Sequence, residues 1–142
     1  MAGEKSTAYA NALLLQIFQN TAFSGISAAG ANANLYLSFH TADPTASGNQ
    51  STSEVAWGSY ARQAVVRSSA GWTVTGNTVT LAAGVTVVFP TVTGTGGSAT
   101  YVGVGTLVSG TGVLLYACPI TGGITVAVGN APAISSITIT ES

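Results

Sequence analysis

His40 is the only histidine of the chain, and two of its four carboxylates, Asp43 and Glu54, follow close behind. An imidazole beside a carboxylate is the core of two chemistries. With a serine hydroxyl in mutual hydrogen-bond reach it forms a hydrolytic triad; with further imidazoles or carboxylates it holds a divalent metal. Serines are plentiful, yet none stands in a Gly-x-Ser-x-Gly elbow. A metal site would lack a second histidine. Cys118, the lone cysteine, allows neither an intramolecular disulfide nor a cysteine zinc site, and its setting in Leu114-Leu115-Tyr116-Ala117-Cys118 predicts a buried thiol. The glycine clusters match neither Gly-x-Gly-x-x-Gly nor a phosphate-binding loop, and no lysine stands beside them. No catalytic, cofactor-binding or metal-binding residue is therefore assigned, no cofactor is expected, and the chain is not expected to be an enzyme. The simplest reading of His40 is a strand-end residue bonded to nearby backbone.

Charge is scarce throughout. Charged residues make up 5% of the 142, against about 25% in an ordinary soluble domain. They are Glu4, Lys5, Asp43, Glu54, Arg62, Arg67 and Glu141. Asp43-Pro44 predicts a turn in which the Asp carboxylate accepts from a backbone amide two residues on. Arg62 can pair with Glu54 or with Asp43 across the intervening loop, or reach a neighbouring subunit, where arginine is enriched. Three basic residues make no phosphate-binding patch, so nucleic acid is not an expected partner, and nor is an anionic membrane. A net charge of -1 favours association over dispersal. These features describe part of an assembly.

The elements that position these residues follow from periodicity. The length suits a single domain, 1–142. Ser6 or Thr7 can cap a helix over 6–20, in which Tyr9, Leu13 and Ile17, and likewise Ala10, Leu14 and Phe18, recur every four residues. Residues 21–34 read as a connector. The rest, 35–142, reads as short strands: 35–40, 60–67, 71–75, 78–81, 85–89, 99–108, 113–118, 124–128 and 134–140, with glycine turns between and a long loop at 41–59. The fold class expected is all-β, a jelly roll or a two-sheet β-sandwich preceded by one short amphipathic helix. The first five residues lack the order of a signal peptide, and no apolar run approaches the ~18 residues of a membrane span. A single cysteine fits synthesis in a reducing cytoplasm. The sequon Asn49-Gln50-Ser51 has meaning only on a eukaryotic secretory route. Tyr36, Trp57, Tyr60, Trp72 and Tyr101 offer flat faces for a sugar, although packing in core and interface is the simpler reading.

The stretch Leu35-Tyr36-Leu37-Ser38-Phe39-His40-Thr41-Ala42-Asp43-Pro44, then Glu54-Val55, then Gly58-Ser59-Tyr60-Ala61-Arg62, resembles a family of tailed-phage virion proteins with the hallmark L-x-L-H-T-A-D-P … E-V … G-x-Y-x-R. The opening helix, Val87-Val88-Phe89-Pro90 and the closing Ile/Thr strand are similar to that family too. The chain departs from it in carrying Pro44-Thr45 where the family often has Pro-Gly, and in a longer loop. The resemblance implies a structural virion protein made in the host bacterial cytoplasm. Members are capsid cement (decoration) proteins or tail-fibre-associated proteins. Cement on the outer head surface is the first expectation, because the compact chain has no room for a shaft. Its partners would be the major capsid protein and copies of itself, a homodimer before a trimer. A tail-fibre-associated or tail adaptor protein is the alternative, and a carbohydrate-binding jelly-roll module a further one. Asp43, Pro44, Glu54, Trp57, Tyr60, Arg62 and Arg67 are the structural or interface candidates, with the amino-terminal segment and the glycine-rich loops.

Overall fold

The computed structural model describes residues 5–23, 25 and 29–141. Residues 1–4, part of the 21–34 connector (24 and 26–28) and 142 lie outside the described residues, and with them most of the amino-terminal segment offered above as a contact. The elements in order are α1 (Thr7–Gln19), β1 (Asn34–His40), β2 (Gln63–Val66), β3 (Trp72–Thr75), β4 (Thr78–Leu81), β5 (Val87–Val88), β6 (Gly97–Gly105), β7 (Leu114–Val126), β8 (Ala133–Ile134) and β9 (Thr138–Thr140). The chain is mostly β, with three antiparallel sheets and one short helix among the described residues. No helix among them is long and apolar enough to cross a membrane. Contacts divide the chain into two compact units: Met1–Asn34 with Val66–Val85 and Ser135–Ser142, and Leu35–Val65 with Thr86–Ile134.

In the first unit α1 packs on β3 and β4, which with β9 form a sheet of order β3-β4-β9. Ser6 is extended and its Oγ accepts the Tyr9 amide at 3.2 Å, which starts the helix. Of the two apolar rows, only Ala10, Leu14 and Phe18 are buried, while Tyr9 is 43% exposed, so the buried stripe is narrower than the sequence suggests. Phe18 meets Trp72 edge-on, with ring centroids 4.7 Å apart, and Val79, Leu81, Ile137 and Ile139 are buried in the same unit. Gly76, with φ 61°, makes the tight β3–β4 turn that Gly76-Asn77 predicts.

The helix ends on an arginine. Arg67 donates to Ile17 O at 2.7 Å, Gln16 O at 2.8 Å and Asn32 O at 2.8 Å. Two of these are last-turn carbonyls that a helix cannot pair internally, and the positive charge sits at the negative end of the helix dipole. Arg67→Ala is expected to lower stability by about 1.5–3 kcal/mol, the worth of hydrogen bonds from a charged donor. Denaturant unfolding followed by far-UV circular dichroism measures this. Arg67→Lys, which keeps the charge but not the planar fork, recovers part of it.

The second unit holds the sheet β2-β1-β6-β7 and the pair β5-β8. Its core gathers Phe39 against Phe89 (centroids 4.4 Å) and Trp57 (5.5 Å), with Tyr60 stacked on Phe89 at 6.1 Å. Trp57 is thus a core residue of this unit. In β1, Leu35, Leu37 and Phe39 share one face as alternation predicts, but Ser38 and His40 on the other face are buried as well.

Two regions differ from the strands expected. Segments 113–118 and 124–128 do not form separate strands around a glycine turn: both pair with β6, and together they make β7. Pro119 faces Tyr101 and Ile124 faces Ala99, so Ile120-Thr121-Gly122-Gly123 bulge out of the ladder, turned by glycines with φ 77° and 65°. The expected strand 134–140 divides into β8 and β9, which join different sheets. The 41–59 loop carries no strand, yet Pro44, Gln50, Val55 and Trp57 are buried within it.

Candidate functional site

Strand alternation turns Ser38 and His40 onto the face of β1 opposite Phe39. His40 Nδ1 lies 2.8 Å from Thr52 O, a pure acceptor, so it carries the proton and donates. Nε2 is then bare and accepts from Ser38 Oγ at 2.8 Å. Burial holds the His40 pKa below its ordinary 6.5, although the Thr52 bond and Glu54 pull upward, and this keeps the ring neutral. Gly103 of β6 faces this pair, and a Cβ there would stand 2.5 Å from His40 Nε2 and 2.6 Å from Ser38 Oγ. The Ser–His contact has the connectivity of a hydrolase dyad, but both side chains are 0% exposed. What the pair does here is fasten the 41–59 loop to the sheet. Among the described residues no group of three or more His, Cys, Asp or Glu could hold a metal ion.

The neutral imidazole predicts a pH dependence. In the unfolded chain the ring titrates at its ordinary 6.5, and in the fold at a lower value. The contribution is therefore complete above pH 6.5 and is lost as pH falls from 6.5 toward the folded value. Urea unfolding across that window should show the wild-type stability falling, while His40→Gln, with no titrating ring, loses less with pH.

Beside His40 the loop folds back onto an ion pair. Arg62 binds Glu54 through two parallel bonds, Nε to Oε1 and Nη2 to Oε2, both 2.7 Å. Tyr60 Oη donates to Glu54 Oε1 at 3.0 Å and accepts the Phe39 amide at 3.0 Å. Burial pushes the Tyr60 pKa well above its ordinary value, and the Glu54 bond holds Arg62 firmly charged. Arg62 then reaches across to Leu107 O (3.1 Å) and Gly110 O (2.8 Å) in the β6–β7 loop. Gln50, fully buried, completes the hold: its Oε1 accepts the Thr106 and Leu107 amides at 3.0 and 2.9 Å, and its Nε2 donates to Leu107 O at 3.1 Å. Gln50 N binds Gly112 O, and Ser51 Oγ binds Gly110 O. A Cβ at Gly105 or Gly112 would stand 2.1 or 2.2 Å from the Gln50 side chain, so these glycines make room for it.

Residues 106–113 are thereby held from beneath along their backbone, and Leu107, Val108 and Val113 are left 48%, 59% and 62% exposed. Of the residues singled out in the sequence, Glu54, Tyr60 and Arg62 come together here. Trp57 lies in the aromatic core. Pro44 is buried, and Asp43 accepts the Thr45 amide at 2.8 Å in its turn. Arg67 belongs to the other unit, as the cap of α1. Cys118 is half-buried in β7, where burial pushes its thiol pKa up. Nothing in the sequence singles out Gln50 or Ser38 as part of a site. Their partners outside β1 and its loop lie far along the chain, and Gln50 carried only the signal of a sequon.

The hallmark residues thus share one structure. Glu54, Tyr60 and Arg62 form a single bonded cluster, the backbone of His40 bridges to that of Glu54, and Gly58 stands where the Thr93 backbone comes too close for a Cβ. No curated protein matches the chain. A family model described as podophage GP4 fiber I protein gp80 matches residues 4–141, a span that includes both units and the whole cluster. By that match over nearly its full length, the chain belongs to this phage fiber family.

Proposed function

We propose that the protein is a fibre-associated structural component of a podophage tail, without catalytic activity. The family match over residues 4–141 carries this reading. The internal architecture supports it: the polar groups most capable of chemistry are consumed in fastening one loop to another. The cement reading, with the major capsid protein as partner on the outer head surface, draws no support from a fiber family, and the tail-fibre-associated alternative fits it better. The partners on this reading are neighbouring tail proteins and further copies of the chain, assembled in the host cytoplasm. A two-sheet sandwich within the larger unit is part of the same proposal, because Phe39 on β1 and Phe89 just after β5 meet between its two sheets. Gold-labelled antibody against the chain, applied to purified particles, tests the location. Label confined to the tail supports the proposal. Label spread over the head shell would restore the cement reading.

A further inference from the structure

Two antiparallel neighbours such as β6 and β7 can be joined by a two-residue turn. This chain spends residues 106–113 there, and it places three large aliphatic side chains on the outside of the loop. The loop is not loose, because Gln50, Ser51 and Arg62 bind its backbone at Thr106, Leu107, Gly110 and Gly112. An apolar tip held in one conformation from beneath binds without first losing loop entropy. Exposed apolar clusters of this kind mark contact surfaces.

Charge points to the occupant. The unit that carries the tip contains three charged residues, Asp43, Glu54 and Arg62. Glu54 and Arg62 neutralise each other, which leaves Asp43 alone uncompensated by an ion pair. A second copy brings an equally uncharged surface, so like meets like with neither repulsion nor the desolvation of ions.

The sheet edge does not compete for this role. Phe39 spends its amide on Tyr60 and its carbonyl on Val55, so Val102 opposite it turns toward β7 and bonds Cys118. Ala117 and Pro119 then direct their backbone outward. Pro119 has no N–H to offer a new strand, and the Ile120–Gly123 bulge interrupts the edge just beyond. Association through this end of the unit is left to side chains.

We propose, resting on the assembly reading above, that Leu107, Val108 and Val113 form a self-complementary contact through which two copies of the chain dimerise about a two-fold axis. Sedimentation equilibrium of the full chain over a range of concentrations tests this, with Leu107→Ser/Val108→Ser/Val113→Ser as the variant. The wild type is expected to be a dimer and the variant to associate more than a hundredfold more weakly, since three buried aliphatic groups are lost on each side. The three positions are exposed in the single chain, so the variant should keep the wild-type circular dichroism and melting curve in dilute solution. A wild type that stays monomeric at every concentration, or a variant that associates as tightly as the wild type, would overturn the inference. Either result would leave the tail location, read separately by antibody label, standing or falling on its own.

Discussion

Arg62→Ala is expected to lower the stability of the larger unit by about 3–5 kcal/mol, the usual cost of removing one member of a buried ion pair. Arg62 is 6% exposed, and its guanidinium serves the Glu54 carboxylate, Leu107 O, Gly110 O and, at 3.4 Å, Ser51 Oγ. Truncation leaves the carboxylate with Tyr60 Oη alone among these donors, Leu107 O with Gln50 Nε2 and Gly110 O with Ser51 Oγ. The 106–113 loop should loosen together with the fold, which hydrogen exchange at the Thr106 and Leu107 amides would register. Urea unfolding of Arg62→Ala, of Glu54→Gln and of the double variant completes a cycle. The double variant should recover part of the loss, but not all, because the Leu107 and Gly110 carbonyls each still lack the bond from the Arg62 guanidinium. A loss below about 1 kcal/mol, the range of an exposed surface pair, would contradict the clamp.

Gly58→Ala is expected to cost about as much, some 3–5 kcal/mol, at the upper end for single substitutions. A Cβ at Gly58 would sit 1.5 Å from Thr93 O and 2.5 Å from Thr93 C, and both are backbone atoms that no rotamer can move away. The two segments are also tied together by Gly58 N to Thr95 O and Thr93 N to Gly58 O, each 3.0 Å, so any retreat breaks these bonds. Gly110→Ala is the matching control. Its Cβ would enter open space, and the penalty is the left-handed φ of 80° alone, about 1–2 kcal/mol. Thermal melts of the two variants should therefore separate clearly, with Gly58→Ala much the lower.

Local signals explain which elements were legible. The cap at Ser6 and the four-residue apolar rows placed α1 within a residue of each observed end, and alternation with a Gly-Asn turn placed β3 and β4. These features depend on near neighbours in the chain. The merger of 113–118 and 124–128 into β7 was not legible, because Gly122-Gly123 carries a strong turn signal and only pairing with β6 shows that the chain resumes the same ladder. The split of 134–140 has the same origin, since each half is claimed by a different sheet. At the site, scarcity of charge made Glu54 and Arg62 natural partners, with Asp43 as the competitor that formed its own turn instead. The second half of the clamp was beyond reach of the sequence. Nothing local marks Gln50 as buried, or Gly103, Gly105 and Gly112 as the positions that accommodate His40 and Gln50. Gly112 reads as a turn former, and Gly103 and Gly105 lie within the expected strand 99–108, yet all three serve close packing against residues far away in sequence.

On the function proposed above, the protein is a minor, tail-borne structural component of the particle. Its copy number in purified virions, measured by quantitative mass spectrometry against the shell protein and repeated on separated heads and tails, tests this most directly. A small fraction of the shell copy number, recovered with the tails, is the expected result. A copy number comparable to the shell protein and recovered with the heads, or absence from the particle, would contradict it.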